Sequence, residues 1–406
     1  MGVRGWYPNG IMEQVFKYLI SLFFSCILWA VGISQADSAV HRHRVAVFIP
    51  LYLDSAFDAS GNYRYDKNFP KFLNSGLEFY EGMELALDTL RKENLSLDVE
   101  VYDTRKAGLN LPSLLESPDF QPTELIIAHV EPAELRLLAN TAAQKNIPFI
   151  NVNFPNDAGI SNNPYFVILN STLRAHCESL YRFLQRNYPL WPMVIFRKNG
   201  TQEDRLQHYW EDIGKSTSSV PLKLHFVSLG ESVDPHQLIP YLDSTKKTIC
   251  VVASLDESFG KSVCSALASL NKTYVTKIFG TPTWDDIADF GQPEFADQEI
   301  YYTSPFYINP ADSLAGSIQQ YFHTRFYSRP SDMVYRGYES MYHFAKLLNQ
   351  FGSTIASNIG SKLFRVFTDF DIEPVFLNRE NMTLDYFENR KVYFIKKVNG
   401  NVVAVY

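Results

Sequence analysis

Residues 146–196, NIPFINVNFPNDAGISNNPYFVILNSTLRAHCESLYRFLQRNYPLWPMVIF, decide the fold. The apolar run 148–152 reads as a strand, and it ends in a loop rich in Asn, Pro and Gly. A second extended run covers 164–169. A helix then runs to about residue 188, capped by Thr172 or Ser171, with Glu178 in its early turns. Another apolar strand follows at 192–196. One strand–helix series therefore ends in the loop, and a second begins after the helix. In α/β proteins such a switch is where strand C-termini and helix N-termini converge on a ligand.

Working outward, the same rhythm appears on both sides. Upstream, VAVFI (45–49) is a continuous apolar strand suited to a parallel sheet buried on both faces. Residues 50–76 form a long loop carrying Tyr52, Asp54, Tyr63 and Tyr65, either a lid or an insertion packed on the surface. An amphipathic helix is expected over 77–92 and strands over 97–102 and 124–128. Between those strands, 103–120 allow at most a short helix. A further helix presents Leu135, Leu138, Ala139 and Ala142 on one face. Downstream, strands are expected at 193–196, 222–227, 248–252, 275–279 and 300–303, with helices at 203–214, 235–242 and 257–270. This alternation implies parallel sheets with right-handed crossovers. The pattern then changes: helices at 313–327 and 333–350 follow each other, a shorter one is expected at 361–367, and strands 391–397 and 401–406 flank Val398-Asn399-Gly400, a hairpin turn signal.

At 406 residues the chain is too long for one ordinary domain and suits two lobes. Its formal charge is −7 and no Lys/Arg run is present, which argues against a nucleic-acid partner. Arg4, Lys17, the apolar run 18–33 and the small residues to Ala36 read as an export signal over 1–36, implying a periplasmic or extracellular protein. The 16-residue apolar run is shorter than the ~20 residues of a membrane span. An uncleaved anchor and lipidation at Cys26 stay open, and either is the one membrane attachment considered. Cys177, Cys250 and Cys264 remain; an odd number gives no full disulfide framework, and burial as small apolar side chains is expected.

Motifs for catalysis are missing. LDESFGKS (255–262) follows a strand and ends like a phosphate loop, but Leu255 replaces the first glycine, and Asp256 and Glu257 repel phosphate. No nucleophile elbow, zinc-protease motif, Cys-x-x-Cys or dinucleotide fingerprint occurs. Nine His are scattered without ligand spacing. No enzyme activity, metal or cofactor is expected.

The order of parts resembles the type I periplasmic binding proteins, in particular the branched-chain amino-acid-binding (leucine/isoleucine/valine) family. Four segments carry the resemblance: VAVFIPLYLDS with LEFYEGMELALDTL, the stretch from NIPFINVNF to WPMVIF, SIQQYFHTRFYSRPSDMVYRGYESMYHFAKLL, and the C-terminal hairpin. It implies two Rossmann-like lobes with parallel sheets joined by a multi-strand hinge, lobe I from 42–170 with 305–370 and lobe II from 171–304 with 371–406. It further implies a solute held between the lobes and passed to an ABC permease. The family's amino-acid site does not carry over: Asn151-Val152-Asn153-Phe154-Pro155 replaces its hydroxyl residues, Pro155 has no N–H, and Glu131 repels a carboxylate. Asp285 stands nearest to the family's ammonium-binding acid.

Residues at strand ends are the candidates for lining a cleft: Tyr52, Asp54, His129, Glu131, Asn151, Asn153, Arg197, Asn199, Asp256, Trp284, Asp285 and Tyr307. Tyr52, Trp284 and Tyr307 offer stacking, the others hydrogen bonds. For each, the alternative is a structural role: a loop amide satisfied by backbone, a core anchor for Trp284, a salt bridge for Arg197. For the whole chain, the alternative is an envelope scaffold that keeps the fold and binds no small ligand.

Overall fold

The computed structural model describes residues 42–378, 380–398 and 401–405. The proposed export signal, Cys26 and the Asn399-Gly400 turn lie outside the described residues. Two seven-stranded sheets organise the rest. The first comprises β1 (Arg44–Ile49), β2 (Asp98–Asp103), β3 (Leu125–Ala128), β4 (Phe149–Asn151), β5 (Phe166–Ile168), β11 (Ile372–Asn378) and β12 (Thr383–Asn389), in the order β11-β12-β5-β4-β3-β1-β2. The second comprises β6 (Met193–Arg197), β7 (His225–Ser228), β8 (Thr248–Val252), β9 (Thr276–Gly280), β10 (Glu299–Ser304), β13 (Tyr393–Val398) and β14 (Asn401–Val405), in the order β14-β13-β10-β9-β8-β6-β7. The first five strands of each sheet follow one plan, and all their pairings are parallel.

The apolar strands explain this plan. Along β1, Val45, Val47 and Ile49 enter one core while Ala46 and Phe48 enter another on the opposite face. Along β6, Val194 and Phe196 face one core and Met193 and Ile195 the other. Each sheet is thus buried on both sides, which a parallel sheet requires. Helices supply the covers. In the first lobe they are α1 (Leu53–Ala56), α2 (Lys71–Lys92), α3 (Leu111–Leu115), α4 (Pro132–Lys145), α8 (Ser313–Phe326) and α9 (Asp332–Phe351); in the second, α5 (Leu173–Asn187), α6 (Thr201–Ser216) and α7 (Glu257–Leu270).

Helices α2 and α9 lie against each other at glycines. A Cβ on Gly82 would stand 1.9 Å from the Val334 carbonyl oxygen, and one on Gly337 2.1 Å from that of Phe79. Only glycine permits backbones this close.

Three segments cross between the lobes: from β5 into α5, from β10 into α8, and from β12 into β13. The first and third are tied together. Ser171 Oγ donates to the Lys391 carbonyl at 2.8 Å, Thr172 Oγ1 to Glu388 at 3.2 Å, and Asn389 Nδ2 to the Leu169 carbonyl at 3.1 Å. Arg390 bridges Glu178 of α5 and Glu388 of β12, each at 3.0 Å.

Several expectations need correction. Residues 371–406 do not all join the second lobe: β11 and β12 extend the first sheet, with β12 parallel to β5, and only β13 and β14 reach the second. Helix α2 begins at Lys71, shortening the loop expected over 50–76. Residues 235–242 form two 3-10 turns, because Pro235, first in one, and Pro240, second in the other, lack an N–H to continue a helix. The helix expected at 361–367 is absent; a 3-10 turn at Gly352–Asn358 takes its place, and Phe364 sits in the left-handed region. Cys177, Cys250 and Cys264 are buried free thiols. No described helix is long and apolar enough to cross a membrane.

Candidate functional site

All three crossings leave from strand C-termini, so the loops after β1, β3, β4, β9 and β10 lie beside them. Around β1 the loop is held by Asp103 at the end of β2. Its carboxylate accepts the backbone N–H groups of Leu51, Tyr52, Leu53 and Arg105 at 2.9–3.1 Å. Tyr52 has φ 56°, and its ring meets Phe72 edge-on at 5.1 Å. Asp54 accepts from the Ala107 N–H.

Most of the expected polar residues are committed to the protein itself. Asn151 is fully buried; its amide donates to the Phe154 carbonyl at 2.7 Å and accepts the Phe154 N–H at 3.0 Å. Asn153 pairs with both backbone groups of Val130, joining the β3 and β4 loops. Glu131 caps α4 in a capping box with Glu134 and meets Arg105. Arg197 is buried and binds Gln207, Asp204 and the Lys198 carbonyl. Trp284 is a core anchor, wedged where a Cβ on Gly260 or Gly280 would lie within 2.6 Å of its indole. Tyr307 leans on Tyr393 at 5.9 Å beside the crossings.

Two groups of candidates are brought together. Asn199 and Asp256 line an open groove of about 500 Å³ with Lys198 and the start of α6. Asp256 caps α7 through the Phe259 N–H and pairs with Lys198 at 2.5 Å, which together hold its carboxyl below the usual range. A hollow of about 590 Å³ between α5 and α6 contains none of the expected residues.

His129 and Asp285 both lie within range of the charge of Arg336. His129 is buried after β3, with Nε2 3.2 Å from Ser75 Oγ and Nδ1 without a partner. Burial first, and then the charge of Arg336, push its pKa down to about 4, so the ring is neutral at ordinary pH. Arg336, in the second turn of α9, is half-buried with its guanidinium 3.8 Å from the Phe306 ring centre. Its Nε is buried without a partner. Burial lowers its pKa, while the charges of Asp332, Glu339 and Asp285 act the other way. Asp285 follows β9 of the second lobe and accepts the Tyr302 hydroxyl at 2.5 Å. Arg336, Phe306 and Ser75 were not among the candidates. Arg336 lies on a helix rather than after a strand, and the one signal it gives is a cation in the otherwise apolar run Val334, Tyr335, Gly337, Tyr338.

Among the described residues, no group of three or more His, Cys, Asp or Glu is placed to hold a metal ion.

No family model and no curated protein sequence matches the chain. Solved structures do match its fold. A protein of Rhodospirillum rubrum assigned to a branched-chain amino acid ABC transporter superposes with TM-score 0.64 at 10% identity, over 90% of this chain and 100% of that one. A branched-chain amino acid ABC transporter periplasmic ligand-binding protein of Burkholderia xenovorans gives TM-score 0.58 at 10% identity, over 90% and 95%. An ABC transporter substrate-binding protein of Desulfitobacterium hafniense, in complex with Leu, gives 0.55 at 14%, over 90% and 100%. The chain therefore has the two-lobed α/β architecture of type I periplasmic binding proteins. At these identities the likeness concerns the fold.

Proposed function

We propose that this protein is an exported solute-binding protein that closes two hinged lobes on a small ligand and delivers it to an ABC permease. The observation that carries the reading is the equivalence of the two sheets, with every crossing placed at their strand C-termini. That arrangement lets one rotation close a cleft lined by loops from both lobes. The fold is consistent with such a role, and the matched structures named for periplasmic ligand binding support it. Export through residues 1–36, and a periplasmic or extracellular location, belong to the same proposal. A non-enzymatic role belongs to the same proposal.

A second reading, an envelope scaffold that binds no small solute, draws on the committed side chains. Asn151, Asn153 and Arg197 already have protein partners. A thermal-shift screen of the full chain against amino acids, peptides, sugars and aromatic acids separates the two. A ligand at 100 times its dissociation constant stabilises a binder by ~2.7 kcal/mol. Small-angle scattering then reports closure as a smaller radius of gyration. The solute-binding reading is abandoned if no class shifts the transition. For export, N-terminal sequencing of the secreted protein is expected to begin after Ala36.

A further inference from the structure

The hollow between α5 and α6 lies apart from the strand-end loops. Its walls are Glu178, Arg182, Gln185 and Arg186 of α5 and residues 216–219 at the end of α6, over a floor of Tyr181 and Ile213. Arg186 is in the last turn of α5, about 20 Å along the helix from its Thr172 cap. Helix α6 also runs away from the strand C-termini, so residues 216–219 reach the same far end of the second lobe. The volume, about 590 Å³, is that of a small-molecule site. The rim is built by the protein's own bonds: Gln185 Nε2 donates to the Val220 carbonyl at 2.6 Å, and the Tyr181 hydroxyl accepts the Leu222 N–H at 2.8 Å. Several donors on the walls are left over. Arg186 is exposed and makes no ion pair or hydrogen bond among the described residues, and neither does the hydroxyl of Ser218 or Ser219.

The hollow is also wired to the crossings. Glu178, the one acid in its walls, is shared between two arginines. One oxygen accepts from Arg182 at 2.5 Å and the other from Arg390 of the third crossing at 3.0 Å. Arg390 also pairs with Glu388 at 3.0 Å, and Glu388 accepts from Thr172, the cap of α5, at 3.2 Å. Ion pairs and hydrogen bonds therefore run without a gap from the hollow to the two tied crossings. The first link is the weakest. The Arg182 side chain is 70% exposed, and pairs in water are worth little, so a second anion competes for it easily.

We propose that the hollow is an effector site for a hydroxylated anion, a sugar acid or a sugar phosphate, and that its occupation stiffens the tied crossings. Arg186 and Arg182, one turn apart on α5, present planar guanidinium forks to the anionic group. The hydroxyls of Ser218 and Ser219 on the facing wall meet those of the sugar, donating or accepting as needed. Once Arg182 turns to the anion, Glu178 keeps Arg390 as its only cation, and that pair tightens. Binding in the hollow stands independently of any solute held between the lobes. Its consequence for lobe movement rests on the hinged-lobe reading.

The test uses the full chain with glucuronate and glucose 6-phosphate, which separate the two sources of the anion, and with glucose and inorganic phosphate as controls. Calorimetry and amide hydrogen exchange are run on the parent, Arg186→Gln and Glu178→Gln. At least one anionic sugar is expected to bind the parent more tightly than either control. Arg186→Gln changes an exposed side chain without protein partners, so it is expected to melt with the parent yet bind about tenfold to a hundredfold more weakly, as the loss of a charged hydrogen bond requires. In the parent the sugar is expected to slow exchange over 216–222 and, by about twofold to fivefold, over 389–393, the worth of one partly exposed ion pair. Glu178→Gln is expected to bind at least as well, because Arg182 is already released, but to show no slowing over 389–393. The inference is overturned if neither anionic sugar binds, if glucose or phosphate binds equally well, if Arg186→Gln binds like the parent, or if exchange over 389–393 is unchanged in the parent or slowed equally in Glu178→Gln. The thermal-shift screen run on Arg186→Gln separates this inference from the solute-binding reading. A stabilisation lost in the variant belongs to the hollow, whereas one kept in full upholds a solute between the lobes whatever the sugars do.

Discussion

Adding one methyl group at Gly337 tests the packing of α2 against α9. Its Cβ would stand 2.1 Å from the Phe79 carbonyl oxygen, whereas ordinary contact begins at 3.4 Å, so the helices must part by 3.4 − 2.1 = 1.3 Å. At Gly82 the figure is 3.4 − 1.9 = 1.5 Å, against the Val334 carbonyl. Neither neighbour is a side chain that can rotate aside. Overpacking of this kind costs about 1–3 kcal/mol, and backbone atoms on both sides place it at the upper end. Alanine recovers about 1 kcal/mol of helix propensity. Each of Gly337→Ala and Gly82→Ala is therefore expected to lose a net ~2 kcal/mol. Because one separation relieves both clashes, the double variant is expected to lose clearly less than the sum. Gly316→Ala, exposed on α8 with open space at its Cβ, serves as the control and is expected to gain about 0.5–1 kcal/mol. Urea unfolding followed by circular dichroism measures all four. If Gly337→Ala and Gly82→Ala match the control, or if their effects simply add, the close-approach account is wrong.

Trp284→Ala is expected to lose about 3–5 kcal/mol in the same assay, since it empties a fully buried pocket against Gly260 and Gly280. Glu299 is half-buried, which alone raises its pKa, but hydrogen bonds from Tyr301, Lys277 and Lys396 outweigh burial and lower it to about 2. Its contribution is thus present above its ordinary 4.5 and lost as pH falls towards 2; Glu299→Gln should destabilise by ~1 kcal/mol at pH 7, with the difference gone near pH 2. Glu339 goes the other way. Burial raises it to about 7 despite the Thr368 bonds, so the folded protein holds an extra proton between about 4.5 and 7. Stability should fall as pH rises across that window, and a Glu339→Gln variant that keeps the same slope would refute this origin.

The sheets were legible because their strands are apolar on both faces. VAVFI and MVIF admit few readings other than buried parallel strands, and Thr172 was readable as a helix cap, its Oγ1 accepting the Ala175 N–H. β11 and β12 were not legible. IEPVFLN carries Pro374 and mostly exposed side chains, as an edge strand does, and TLDYFEN is too polar to stand out. Nothing local says that β12 pairs with a strand more than 200 residues earlier. Strand ends led to loops beside the crossings, but not to the availability of their side chains. Asn151 and Asn153 are engaged by backbone groups a few residues away or on the adjoining loop, a local competition that residue type does not reveal.

The pairing of β12 with β5 also sets a timetable for synthesis. Asn389 and Leu169, bonded across the completed seam, are 220 positions apart. At ~5–20 residues per second, the far side of β5 waits roughly 10–45 s on the ribosome for its neighbour. Throughout that wait the apolar strand Phe166-Val167-Ile168 is an open edge, a template for pairing with other chains. The second sheet waits in the same way for β13 beside β10. Neither sheet gains its full set of strands until residues 383–405 have emerged.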